Sequence, residues 1–502
     1  MTLATPTLTR WAVPLTALVA FLLRLPGLGT ALSPDEAGFL MVARTWVPEP
    51  GSVYGHYFVD RPPQIIATFK VADAIGGPYA LRLVGALVCA ALVLLAARIA
   101  LVIADERAAR WTAVVVAALT SSTMINADGV KGELLSLPFV LGACLLAILA
   151  LQRQSMPLAA LAGLSAGVAP GFKQNMLGGL VFAAALLLLS LATKQISART
   201  FARLSVAGLA GAAVPAALMI GWALQSGVQL DTLWYAIYGF RSDAGAELAS
   251  ASSGANAQRA VILLLAALGT GILLVMGTFV VLLRKVWRSQ QVLVGATLAL
   301  FLFDAVALVL GGSFWLDYLF GLLPAAVLAT AMLAGLSGRG GRAMRVVVGF
   351  AAISSVASIA TVGVVTATGT ASRGQADTGE AIAAVAEPGD TVTVLGGRAD
   401  LQLATGRESP YRHLWSLPMR TLDPEYVELR DLLTSPEAPT WFVQLVPTGL
   451  WSEDGGAELL EVLRERYDAH GYGCHGGIIW LRDGVERDLP EDHCPDGSAP
   501  HA

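Results

Sequence analysis

Charge is scarce in this sequence. Asp, Glu, Lys and Arg make up 14% of its 502 residues, against roughly 25% in an ordinary soluble domain. Apolar residues reach 55% and the mean hydropathy is +0.64. A purely water-soluble chain has no use for so much apolar surface, whereas lipid accommodates it. No basic block with interleaved aromatics occurs, which excludes nucleic acid as a ligand. A glycine-rich phosphate loop, a His-Glu-x-x-His zinc pattern and a Gly-x-Ser-x-Gly elbow are all missing. Cysteine is limited to four positions. Cys89 and Cys144 lie in apolar runs, where a thiol is a small hydrophobe. Cys474 and Cys494 are too few for a structural zinc site unless His475 and His493 join them. A disulfide between them is favoured if that end lies outside the cytoplasm.

What the chain has in plenty is apolar runs long enough to cross a bilayer, about 20 residues each. About eleven are read, near 11–32, 80–104, 111–125, 134–151, 156–170, 176–193, 203–224, 259–283, 291–311, 316–336 and 345–368. The third and fifth are short. The first is long for a secretory signal, so it reads as a retained anchor. With Arg10 cytoplasmic, every second connection is basic: Arg98, Arg107 and Arg110; Arg153; Lys194, Arg199 and Arg203; Arg284, Lys285 and Arg288; Arg339, Arg342 and Arg345. That alternation places the N-terminus inside and the C-terminus outside a bacterial plasma membrane.

Two external loops are long, about 33–79 and 225–259. The first contains a stretch after Pro62-Pro63 with apolar residues at helical spacing, suited to lying on the membrane surface. The second ends in Ala/Ser/Gly-rich sequence, 244–257, expected to be loose. After about residue 371 the composition changes, dividing the chain into a membrane part, 1–370, and a soluble α/β domain, 371–502, with a loose polar tail. Strand-like runs begin at Thr391, Thr440 and Gly477, and helical patterns cover 378–386, 425–433 and 456–467.

Ionisable residues at the rim of a membrane are costly and hence functional candidates. Asp35-Glu36 follows the first span. Such a pair suits a general base, and equally the first turn of a helix after Pro34. Tyr57 to Pro63 carries Asp60 and Arg61, the latter fit for a phosphate or for snorkelling to lipid headgroups. Asp128, Lys131 and Glu133 crowd one short external turn, and Lys173-Gln174-Asn175 another. Arg241 lies in an aromatic segment that also suits an interface belt, and Asp317-Tyr318 opens a later span.

Together these elements resemble the GT-C glycosyltransferases, in the branch of the protein O-mannosyltransferases and the bacterial aminoarabinose transferases of lipid A. The resemblance rests on the acidic pair Asp35-Glu36, on Tyr57-Phe58-Val59-Asp60-Arg61-Pro62-Pro63 in place of a Tyr-Phe-Glu-Lys-Pro-Pro-like stretch, on Arg82 at the second span, and on Gly311-Gly312, Asp317-Tyr318 and Leu323-Pro324. The family often has His where Asp317 stands. About 330 residues are covered. The resemblance implies an α-helical polytopic GT-C-like membrane protein whose donor is a polyprenyl-phosphate sugar. It implies Asp35, with Glu36, as the catalytic pair, Asp35 deprotonating an acceptor hydroxyl that attacks with inversion. Arg61, Lys131 and Lys173 are implied at the donor phosphate. Asp60, Tyr57, Asp128, Glu133, Gln174, Asn175, Arg241, Asp317 and Tyr318 are implied at the acceptor or sugar. Glu36 and Asp128 also suit a divalent cation, Mg or Mn, and the sequence leaves the metal open. The expected acceptor is a hydroxyl of an envelope glycan, lipid or protein, and the sequence leaves open which. A transporter and a non-catalytic envelope scaffold are the rivals; the transporter calls for internal repeats, which are not seen.

Overall fold

The computed structural model describes residues 6–250, 254–368 and 375–490. Within them, seven helices are long and apolar enough to cross a membrane: Trp11–Gly29, Pro63–Ile103, Gly132–Arg153, Ala198–Gln225, Leu283–Leu310, Leu316–Ala334 and Gly338–Ala367. An eighth span is a pair, Asn256–Gly269 and Ile272–Val281, bent by 68° at Thr270-Gly271. The other three expected spans fall on shorter helices, Glu106–Ser121, Met156–Gly171 and Gly178–Ala192. All of the about eleven expected runs thus fall on helices, seven or eight of them long enough by themselves to cross a membrane. Glu106–Ser121 has 16 residues and reaches only about 24 Å, short of a ~30 Å hydrocarbon layer.

Pro63–Ile103 has 41 residues, about twice what a membrane needs, and its φ/ψ leave the helical region at Gly76 and Gly77, with φ +60° at Gly77 and Pro78 following. The break falls between the stretch after Pro62-Pro63, expected from sequence to suit the membrane surface, and the expected span 80–104. Arg44 grips Asp73 of the surface segment at 2.8 Å. The second external loop is more regular than expected. Phe240–Ser250 is helical and a further helix starts at Gly254, because alanine supports helix wherever no competing contact intervenes.

The C-terminal unit is a four-stranded sheet in the order β1-β2-β4-β3. β1 (Val392–Leu395) runs parallel to β2 (Trp441–Gln444), and β4 (Ile478–Arg482) is antiparallel to β2. β3 (Tyr467–Tyr472) pairs antiparallel with β4 at the edge. Tyr411, Phe442, Leu459, Leu463, Tyr467 and Trp480 form one apolar core of this unit, and Ile382, Val394, Leu401 and Trp441 another. The unit lies against the first external loop. Phe58 N donates to Arg412 O at 3.1 Å, Ser409 N to Tyr57 Oη at 3.0 Å, and His56 Nε2 sits 2.8 Å from Ser409 O. Arg420 pairs with Glu247 of the second loop at 2.9 Å. Cys474 is buried; its expected partner Cys494 lies outside the described residues.

Candidate active site

Ser33 starts the short helix Pro34–Arg44, and its side chain accepts from Glu36 N while Glu36 reaches back to Ser33 N at 3.0 Å. This capping box fixes the direction of Glu36 and starts the helix whose first turn carries Asp35. Glu36 has no exposed surface. Its carboxylate takes bonds from Ser33 Oγ at 2.9 Å, Val130 N at 2.8 Å and Arg82 Nη2 at 2.9 Å, and Arg82 Nε lies at 2.8 Å. With both oxygens so occupied, Glu36 is a tie between the first loop and the 126–133 turn. Of the pair expected to be catalytic, Asp35 alone keeps a partly exposed side chain, at 30% against 0% for Glu36.

Asp35 lines a cavity of about 590 Å³. Its Oδ2 is 3.2 Å from Lys131 Nζ, and Lys131 is 3.4 Å from Asp317 on the opposite wall. Arg61 bonds Asp60 Oδ1 at 2.7 Å, and Arg241 pairs with Asp60 Oδ2. Lys173 pairs with Glu133 and stands 4.2 Å from the centre of the Tyr318 ring. Burial alone would raise the Asp35 carboxyl, but Lys131 and Arg61 outweigh it and hold the group below the usual carboxylate range. Burial would likewise loosen the protons of Lys131 and Arg61, yet Asp35 and Asp317 around the first, and Asp60 and Asp35 around the second, push both upward.

Of the expected site residues, Asp35, Glu36, Asp60, Arg61, Asp128, Lys131, Glu133, Lys173, Arg241, Asp317 and Tyr318 all line this cavity. Three do not. Tyr57 is buried beneath Ser409 and borders a separate cavity of about 280 Å³; burial raises its phenol to about 12. Gln174 spends its amide on the carbonyls of Asp60 and Ile237, each at 3.1 Å. Asn175 is exposed and borders only a small recess. None of the three borders the large cavity beside Asp35.

The sequence reading missed the contribution of the C-terminal unit. Gly396, Gly397, Arg398, Asp400 and residues 415–418 form one wall of the cavity. Trp415 Nε1 donates to Asp35 Oδ1 at 3.1 Å. Arg82, noted only as a motif residue, is 3% exposed and ties Glu36 to the carbonyls of Asp128 and Ala31 at 2.5 and 3.3 Å.

The donor set does not fit a divalent cation. Lys131 stands between Asp35 and Asp317, and Arg82 occupies Glu36. Among the described residues, no group of three or more His, Cys, Asp or Glu could hold a metal ion.

No protein-family model and no curated protein matches the sequence. Solved structures do match in fold. ArnT from Cupriavidus metallidurans bound to undecaprenyl phosphate is similar with a TM-score of 0.61 at 14% identity, over 96% of this chain and 99% of that one. Its apo form gives 0.62 at 14% identity, over 93% and 97%. The Archaeoglobus fulgidus oligosaccharyltransferase in the apo form gives 0.59 at 11% identity, over 97% of this chain and 76% of that one. The fold is that of the GT-C glycosyltransferases which the motifs resemble: a multi-pass helical membrane part with a small sheet domain at the C-terminus.

Proposed function

We propose that this chain is an integral-membrane inverting glycosyltransferase. It moves a hexosyl or pentosyl unit from a polyprenyl-phosphate donor to a hydroxyl of an envelope glycan, lipid or protein. The reaction takes place on the outer face of a bacterial plasma membrane, with the N-terminus inside. The observation that carries this reading is Asp35: an ionised carboxylate with an open side, set among cations in a polar cavity at the end of apolar helices. The solved ArnT of the same fold holds undecaprenyl phosphate, which supports a lipid-phosphate ligand here.

In the proposed step the acceptor oxygen attacks the anomeric carbon and its proton passes to Asp35. The carbon–phosphate oxygen bond breaks and the lipid phosphate departs with the electron pair. Phosphate is a good leaving group, so cations matter more than an acid. Arg61, Lys131 and Lys173 supply them, Arg61 with a planar fork suited to phosphate oxygens. Donor binding also tunes the base. A carboxylate held low by Lys131 and Arg61 is a weak base; a phosphate that draws on the same two cations weakens that hold, and Asp35 becomes more basic when the donor is present.

The test uses purified protein in liposomes, radiolabelled polyprenyl-phosphate sugars and an envelope extract as acceptor. Wild type transfers label, and Asp35→Asn loses roughly 10²- to 10⁴-fold in rate, the usual scale of a general base. Transfer by Asp35→Asn at the wild-type rate would sink the reading, as would a wild type that turns over no donor.

A further inference from the structure

The C-terminal unit reaches the acidic end of the first loop at one polar point. Trp415 stands at the start of the Ser416–Leu422 helix, and its indole N–H meets Asp35 Oδ1 at 3.1 Å. The ring leans on Phe39, centroids 5.5 Å apart at 45°. It also covers Gly38 so closely that a Cβ there would lie 2.3 Å from Trp415 Cζ2. Its neighbour Leu414 and the nearby Ala399 are buried in the same apolar cluster as Phe39, Leu40 and Tyr54 of the first loop. The indole is therefore held by packing from both domains.

We propose that Trp415 is a positioning residue for the catalytic base, so that the C-terminal unit completes the active site instead of merely being displayed by the membrane part. The inference rests on the reading of Asp35 as base. Lys131 holds one carboxylate oxygen and Trp415 the other, so the plane of the carboxylate is fixed and its remaining lone pairs face the cavity. The two holders differ in kind. Lys131 is a point charge that an incoming phosphate also attracts, and its grip changes through the reaction cycle. An indole N–H only donates, carries no charge and does not titrate, so its grip stays constant. The other ionisable groups acting on Asp35 are Arg61, Lys173 and Asp317, and the C-terminal wall adds Arg398, itself bonded to Asp400 at 2.8 Å.

Two variants test this from opposite sides, in the full-length protein in liposomes. Trp415→Phe keeps a ring over Phe39 and Gly38 but removes the N–H. Gly38→Ala leaves Trp415 intact, favours helix, and pushes the ring away with one methyl group. Each lowers kcat about tenfold, leaves the donor KM within about twofold, and moves the acid limb of kcat/KM upward by about one pH unit. The upward direction follows because a hydrogen bond to the ionised carboxylate has been withdrawn. A purely structural role would lower activity with the pH profile in place, and that result overturns the proposal, as does a wild-type rate for Trp415→Phe. Asp35→Asn, run alongside, separates the two readings. If it is inactive while both variants keep the wild-type profile, only the positioning role falls. If it is fully active, the base assignment falls and the positioning role with it.

Discussion

Lys131 touches Asp35 and Asp317 at once, at 3.2 and 3.4 Å, and so has a different role from a lysine with one partner. Lys131→Met removes the leading attraction that holds Asp35 low, and the carboxyl rises toward its ordinary range. On the proposed mechanism the base is then lost at a higher pH: the acid limb of kcat/KM is expected to shift upward, and the donor KM to rise with one proposed phosphate-facing cation gone. A pH-rate series on the variant checks both, and an unmoved acid limb would mean that Lys131 does not set the ionisation of Asp35. Residues of this kind were partly legible in the sequence. Charges beside lipid drew attention to Asp35, Lys131 and Asp317, because their desolvation needs a reason. The sequence cannot separate Asp35 from Glu36, since both suit a first helical turn. The separation comes from Val130 and Arg82 closing on Glu36 alone.

Helices in lipid approach closely where small residues leave room, and Met156–Val168 does so against Ala198–Gln225. A Cβ on Gly211 would lie 1.9 Å from Ala160 O, and one on Gly163 only 1.8 Å from Gly208 O. Gly208 itself is open, with Ala159 O at 3.6 Å from the added carbon. Gly211→Ala is therefore expected to cost about 1–3 kcal/mol through overpacking. Gly208→Ala, three residues earlier on the same helix, is expected to be neutral or to gain up to about 1 kcal/mol in helix propensity. Thermal unfolding in detergent, compared between the two, reads the difference; equal Tm values would contradict the close crossing. Elements were legible where a period or a run was strong. The apolar runs found the helices, and the Gly76-Gly77-Pro78 break falls just before the start of the expected second span. β3 was missed because Tyr467–Tyr472 is a mostly exposed edge with a bulge at Ala469/Gly471, and it carries no alternating pattern.

The change in composition near residue 371 made two parts legible, but nothing local showed that the second folds back onto the first. That return is made by scattered contacts whose partners are hundreds of residues apart. Tyr57 Oη accepts from Ser409 N, and both groups are buried. Tyr57→Phe leaves that N–H without its partner, at a cost of about 1–3 kcal/mol. Amide exchange should then quicken around residues 56–60 and 409–413, with the distant β1–β2 pair unchanged; a uniform change would contradict a docking role. The same separation has a meaning in time. Asp35 and Trp415 are 380 residues apart, and at about 5–20 residues per second a ribosome delivers the second roughly 20 to 80 seconds after the first. A chain under synthesis therefore has its acidic loop long before the indole that meets it exists, and on the proposed reading full activity waits for the finished molecule.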